Sequence, residues 1–481
     1  MTNLRAMINL PIKTNLFAHS MLRGVSNLRA LPILLIILSL TAFTACTESS
    51  TESRTSASLF STPEWAEQAN IYEVNIRQYT DEGTFKAFSE HLPRLQAMGV
   101  DILWLMPIHP IGELHRKGSL GSYYSIRDYY AVNPEFGTDE DFRSLVQQAH
   151  NLGMAVIIDL VANHTSWDHV WTETHPEYFK TNEEGEFYPP VPDWSDVIQL
   201  DFDNPDLWNE LMAMMEYWVR EFDIDGYRAD VAYMVPSEFW TLARRKLDQI
   251  KPVFMLAEAE EPELHQAGFD MTYAWNYAHI LREAGAGNVG VQEIHNAVEE
   301  QIARFQDNDY RMFFTTNHDE NSWQGSDEDL YGDNFENYAV LSATVWGMPL
   351  IYSGQETGLN KQLAFFDKDP IVWDDYEYES FYSTLLQLKK RNSALHNGSA
   401  GGTYERLETD NDEDIYSYLR ADEKESVWVT LNFSNEPQTV TFTNPPAGDW
   451  MDVFDESTRD GSEPLTLQPH TFLVLESGNQ E

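Results

Sequence analysis

The chain has one cysteine, Cys46, in 481 residues, so no internal disulfide can brace it and packing has to hold the fold. Basic residues are scarce too: 31 Lys and Arg stand against 78 Asp and Glu, a net charge of −47. Such a surface repels nucleic acid and anionic lipid, so no nucleic acid is expected as a partner, and a neutral substrate is easier to accept than an anionic one. It suits salty surroundings. Two chemistries lack their signatures. There is no HExxH helix or paired-cysteine spacing for a catalytic metal, and no GxSxG elbow for a serine nucleophile. Apolar residues are not lacking. At 42% hydrophobic and 13% aromatic, the chain can bury a large core, which argues against the disorder that acidity alone suggests.

The one long apolar run lies near the N-terminus. LPILLIILSLTAFTA, residues 31 to 45, follows Arg23 and Arg29 and ends in small residues just before Cys46. This resembles a bacterial lipoprotein signal, in which residues 1–45 are removed and the cysteine is lipidated. The alternative is an uncleaved anchor, although the run is shorter than the roughly 20 apolar residues of a span. The resemblance implies a protein of the bacterial cell envelope that touches the membrane only through lipidated Cys46; a monomer is expected. Residues 46–62 are rich in Ser and Thr and read as a flexible tether.

From Ile71 onward, short apolar runs alternate with helical patterns. IYEVN (71–75), ILWLM (102–106), AVIIDL (155–160), GYRAD (226–230), VFMLA (253–257), FDMTY (269–273), RMFFT (311–315) and MPLIY (348–352) have the continuous apolar character of buried parallel strands. FKAFSEHLPRLQAMG (85–99), TDEDFRSLVQQAHNLG (138–153) and DLWNELMAMMEYWVREF (206–222) read as helices between them. This repetition predicts an α/β fold, a (β/α)8 barrel over residues 63–396, with a doubly wound sheet as the rival. A longer, less helical connection at about 162–202 predicts a small inserted domain B after the third strand. From 397 to 481 the strand-like segments predict a C-terminal antiparallel β-sandwich.

In such a barrel, catalytic residues sit at the C-terminal ends of strands. The ends carry Asp159, Asn163 and His164, then Arg228 and Asp230, then Glu258, then Asn317, His318 and Asp319. Clustered carboxylates suggest glycoside hydrolysis, which needs an ionised carboxylate and a protonated one. Arg228, two residues from Asp230, would keep that aspartate ionised. Glu258 has no cation beside it in sequence and follows an apolar strand, which suits a proton donor. Glu260 shares its face by alternation and competes for that role.

DLVANH, GYRAD, AEAE after VFML, and TTNHDEN, in this order, resemble the short signatures of the α-amylase superfamily of glycoside hydrolases. GMPLIYSGQE (347–356) and YYSIRDYYAVNPEFGT (123–138) add to the resemblance, which covers about residues 65 to 475. It implies Asp230 as nucleophile, Glu258 as general acid and base, and Asp319 as the residue that holds sugar hydroxyls in the transition state. It implies that Arg228 orients Asp230, and that Tyr124, His164 and His318 bind the sugar in the cleaved subsite. The activity implied is retaining, endo-acting hydrolysis of α-1,4 bonds in a neutral α-glucan, starch or maltodextrin. A glucanotransferase, a neopullulanase-type hydrolase and a non-catalytic glycan-binding protein are the alternatives. No cofactor or metal is required for the chemistry. Many α-amylases hold a structural calcium beside the residue matching Asn163. That calcium is left open here, because Tyr233 and Met234 stand where relatives often carry Lys and His, and the calcium-loop pattern after the first strand is missing. Trp167, Trp171, Tyr178, Tyr188 and Trp194 either stack sugars or form the core of the excursion.

Overall fold

The computed structural model describes residues 60–478. The proposed signal segment, Cys46 and nearly all of the tether lie outside the described residues. Eight parallel strands close into a barrel: β1 (Ile71–Val74), β2 (Ile102–Leu105), β3 (Ala155–Leu160), β4 (Gly226–Ala229), β5 (Phe254–Ala257), β6 (Met271–Tyr273), β7 (Tyr310–Phe313) and β8 (Met348–Tyr352). Each pairs with its neighbours in sequence, and β1 closes on β8 through Ile71↔Leu350. The doubly wound alternative is thereby excluded, because an open sheet has two edges and this one has none.

The alternation of a strand decides what enters the barrel. Ile71, Ile102, Trp104, Ile157, Leu256, Met271 and Tyr273 share one buried interior cluster. Tyr72, Leu103, Ile158, Tyr227 and Met255 pack outward in the larger cluster that includes the helices. Stepping by two along the inward face reaches Glu73 from Ile71, Asp159 from Ile157 and Glu258 from Leu256. The hydrophobic pattern that makes the barrel therefore also aims these acids into its mouth. β4 begins with Gly226 at φ 151, where a Cβ would lie 1.8 Å from the Phe254 carbonyl oxygen. Only glycine lets β4 lie this close to β5.

The helices follow their caps. Thr138 and Asp141 form a reciprocal capping box at the start of Asp139–Asn151. Pro205–Phe222 buries Leu207, Leu211, Met215, Trp218 and Phe222, one stripe at helical spacing. The single helix expected over 85–99 is instead two, Phe85–Ser89 and Leu92–Met98. Pro93 in the first turn of the second has no N–H to donate backward and disfavours helix before it, so the chain breaks there.

Between β3 and β4 the chain makes a small two-stranded antiparallel sheet, His164–Ser166 with Val197–Gln199. At the C-terminus a six-stranded antiparallel sheet and a two-stranded sheet enclose Ile415, Trp428, Val440, Trp450, Leu465 and Leu475 between them. The other face of the larger sheet turns Tyr416, Tyr418, Val427 and Val429 toward the barrel. There the Tyr418 hydroxyl lies 2.7 Å from Thr344 Oγ1, and Arg420 Nη1 donates to the Val345 carbonyl at 2.8 Å.

Candidate active site

Arg228 is the hub of the barrel mouth. Its side chain is 1% exposed and lies over Trp104, Tyr124 and Tyr273. Nη1 reaches Asp159 Oδ1 at 2.9 Å and Asp230 Oδ1 at 3.2 Å, and Nη2 reaches Glu258 Oε2 at 2.8 Å. One guanidinium thus faces three carboxylates from three adjacent strands. Two sequence-based expectations change here. Glu258, which has no cation beside it in sequence, receives one across the β4–β5 pairing. Asp230, expected to be held ionised by Arg228, is instead pushed well above the usual carboxylate range. Burial and then the Glu258 charge raise it, and Arg228, shared three ways, only partly offsets them. Asp159 is raised as well, by burial.

Glu258 is fixed from a second side. Val231 N–H donates to its Oε2 at 2.8 Å. To do so Val231 adopts φ 39 and ψ 48, a left-handed conformation that a β-branched residue seldom takes and that costs about 1–3 kcal/mol. Glu260 does not compete. Its Oε1 accepts the Asn276 amide at 2.8 Å and lies 3.4 Å from Arg311, away from Arg228.

Asp319 opens the short helix His318–Trp323, capped by Asn317, whose Oδ1 accepts the amides of Asp319 and Glu320. Its side chain is 34% exposed, the most open of the carboxylates, and Oδ2 lies 3.4 Å from His318 Nε2. His318 is buried, and its Nδ1 donates to Glu73 Oε1 at 2.5 Å. Burial disfavours charge on this ring, but Asp319 and Glu73 outweigh it and lift the imidazole to about 9. As imidazolium, its Nε2 donates to the Tyr124 hydroxyl at 2.8 Å, and that hydroxyl donates to Asp159 Oδ2 at 3.0 Å. The Tyr124 and His318 rings stack 5.4 Å apart. His164 is the opposite case. Burial lowers it to about 3, so it is neutral, with Nε2 3.9 Å from Asp230 Oδ2. All seven residues selected from the sequence, Tyr124, His164, Arg228, Asp230, Glu258, His318 and Asp319, therefore meet at one mouth. Glu73 was missed. Its signal was an acid on the inward face of β1.

The aromatics of the excursion divide. Trp171 and Tyr178 are buried in the subdomain's own core, whereas Trp194 packs its ring 5.5 Å from that of His164.

Comparison with known proteins agrees with this geometry. The family model described as the catalytic domain of alpha amylase matches residues 43–197 and 182–419. The chain belongs to the α-amylase family. A model of the maltogenic amylase C-terminal domain matches residues 404–474. The α-amylase MalA of Haloarcula japonica is 30% identical over 440 residues, covering 85% of this chain, and this chain spans only 62% of that relative's length. The crystal structure of the maltogenic α-amylase AmyB from Thermotoga neapolitana is 30% identical, with a TM-score of 0.79 over 86% of this chain and 99% of that one. An α-amylase structure from Lactobacillus plantarum, 31% identical, gives a TM-score of 0.77 over 86% and 99% of the two chains. The protein is thus an enzyme of the α-amylase glycosidase type.

The calcium position of many α-amylases can be tested against these side chains. Asn163 Oδ1 already accepts Gln199 Nε2 at 2.9 Å, and Asn163 Nδ2 faces the Met234 sulfur at 3.8 Å. An N–H donor and a thioether are the wrong partners for a hard cation that takes oxygen ligands. Among the described residues, no group of three or more His, Cys, Asp or Glu is arranged to hold a metal ion. The residues around Asn163 do not fit calcium.

Proposed function

We propose that this α-amylase-family protein is a retaining hydrolase that cleaves α-1,4 bonds within starch or maltodextrin chains. Asp230 would attack the anomeric carbon and form a covalent glycosyl-enzyme. Glu258 would protonate the leaving oxygen and then, as base, activate water. Asp319 would hold sugar hydroxyls and strengthen that hold as charge develops on the ring. Arg228 would orient Asp230, while Tyr124, His164 and His318 bind the sugar being cleaved. The observation that carries this reading is the shared guanidinium. One arginine that touches both Asp230 and Glu258 keeps the two carboxyls side by side. A retaining mechanism needs carboxyls about 5–5.5 Å apart, and an inverting one leaves room for a water between them. The small two-stranded excursion supports endo-action, since it leaves the cleft open.

A transfer reaction is the second reading, and one observation favours it. Tyr233, in the turn that follows Val231 and its hydrogen bond to Glu258, is 57% exposed. A free aromatic face beside the proton donor would bind an acceptor sugar in competition with water. Relatives of this chain include the neopullulanase 2 of Thermoactinomyces vulgaris, 25% identical over 487 residues. Product analysis over time on maltoheptaose, starch and pullulan, with the first anomer read by NMR, tests both readings. The hydrolase gives initial α-anomers and falling chain length. Initial β-anomers refute retention, and early products longer than the substrate favour transfer. We also propose attachment to the bacterial envelope through lipidated Cys46, supported by the residue pattern of positions 23–46.

A further inference from the structure

A line of aromatic rings leaves the candidate site over the ends of β7 and β8, two and three strands round the barrel from Glu258 at the end of β5. It starts at His318 and Tyr124, whose rings lie 20° from parallel. It continues to Phe365, 6.3 Å from Tyr124 and 13° from parallel, and then to Trp323, 5.4 Å further and tilted by 36°. Exposure rises along it, from 2% at His318 and 9% at Tyr124 to 53% at Trp323. Trp323 is the last residue of the helix that Asp319 opens, one turn on, so both lie on the same helical face. The indole packs on Phe365 and Phe366 on one side and leaves the rest of its surface to solvent, in line with the rings of the catalytic floor.

The loop beneath these rings is held rigidly. Asn321, 2% exposed, spends its whole side chain on it: Nδ2 donates to the Lys361 carbonyl at 3.0 Å and Oδ1 accepts the Leu363 amide at 2.9 Å. Gln78 donates from below to the Ala364 and Asp367 carbonyls at 2.8 and 2.9 Å, and the Leu120 amide donates to the Phe366 carbonyl at 3.0 Å. A surface loop clamped from three elements has lost its conformational entropy during folding, so a ligand would not have to order it on binding.

We propose that Trp323, supported by Phe365, is an outer subsite that stacks a glucosyl ring of an α-glucan on the glycone side of the cleaved bond. The ligand class follows from the surface, a flat apolar face without a charged partner that matches the C–H face of an uncharged pyranose. The side follows from Glu258. The leaving oxygen must meet the proton donor at the β5 end, which adjoins β4 and the turn carrying Tyr233, so rings running out over β7 and β8 accompany the other half of the chain. This inference rests on the α-glucan reading above.

The test compares the parent with W323A and W323F on maltoheptaose labelled at its reducing end. W323A is expected to lower kcat/KM by about tenfold, the value of one lost stacking contact, and to move cleavage toward the non-reducing end. W323F should restore most of both, and its thermal midpoint should stay near the parent's because a phenyl ring keeps the packing on Phe365 and Phe366. The same loss should appear as weaker maltoheptaose binding by a D230N background. Unchanged kcat/KM and cleavage pattern in W323A overturn the subsite while leaving the hydrolase reading intact. Cleavage moving toward the reducing end overturns its glycone-side placement. A parent protein that neither cleaves nor binds maltoheptaose overturns the functional reading and the subsite together.

Discussion

Replacing Glu73 with Gln isolates the electrostatics of the sugar-binding histidine. His318 stands at about 9 against an ordinary 6.5, although burial alone would push it down. That displacement corresponds to roughly 3 kcal/mol in favour of the imidazolium. Asp319 gives the largest upward push, and Glu73 adds to it twice, through its charge and through the 2.5 Å hydrogen bond. Glu73→Gln keeps the shape and removes the charge. Burial and the Arg228 charge then face Asp319 alone, and His318 should fall from about 9 toward neutrality.

The sign of the pH dependence follows from linkage. A histidine whose folded value is raised contributes stability that is complete below the unfolded value of 6.5 and is lost as pH rises toward 9. The parent should therefore lose up to about 3 kcal/mol between pH 6.5 and 9 relative to E73Q. His150, raised by its contact with Asp225, changes stability in the same direction, but it does so in both proteins and cancels in the difference. Chemical or thermal unfolding of both proteins at half-unit steps from pH 6 to 9.5 reads this slope, and 15N-histidine NMR reads the ring directly. In kinetics, the alkaline limb of kcat/KM should move toward neutrality in E73Q, because a neutral His318 has only one N–H to divide between the side chain at position 73 and the sugar. Identical pH slopes in parent and variant would show that Glu73 does not hold the proton on His318, and the electrostatic argument would fail.

Other outcomes follow from the same contacts. D230N should lose turnover by on the order of 10^4-fold or more while binding maltoheptaose, and it should unfold at a higher temperature than the parent at pH 7. The native carboxylate is held above its unfolded range, so its ionisation costs stability as pH rises past 3.8; turnover near the parental level would remove Asp230 from the nucleophile role. Q199A should cost about 1–3 kcal/mol by leaving Asn163 Oδ1 buried without its donor. EDTA should leave the parent's melting temperature where it is, and a fall of several degrees that calcium restores would refute the calcium-free reading. Cells fed labelled palmitate should mark the parent and not C46S; equal labelling would dismiss the lipid anchor.

The barrel was legible because buried parallel strands read as apolar runs. Each of the eight runs chosen from the sequence contains or overlaps a barrel strand. The helix over 85–99 failed because its apolar spacing continues across a proline that the backbone cannot ignore. At the site, residues on one strand were legible and contacts between strands were not. Arg228 and Asp230 are two apart and had to share a face. That Arg228 also holds Glu258 depends on β4 lying against β5 in the register Arg228↔Leu256, which no local pattern encodes. Gln199 meets Asn163 across 36 residues of excursion, and Phe365 meets Tyr124 from another loop altogether. Glu73 lay within reach of the same alternation, hidden only because one acid in an ordinary-looking strand carries no signature of its own.

The charge count of the cluster explains why the arginine cannot act as a simple counter-ion to the nucleophile. Arg228 brings one positive charge to Asp159, Asp230 and Glu258, and its five N–H donors are spent on all three and on Tyr273. Because the guanidinium is divided among three carboxylates, it does not cancel the burial and the Glu258 charge that raise Asp230. On the proposed roles it therefore acts by placement, holding Asp230 and Glu258 on one rigid fork so that nucleophile and proton donor meet the same glycosidic bond.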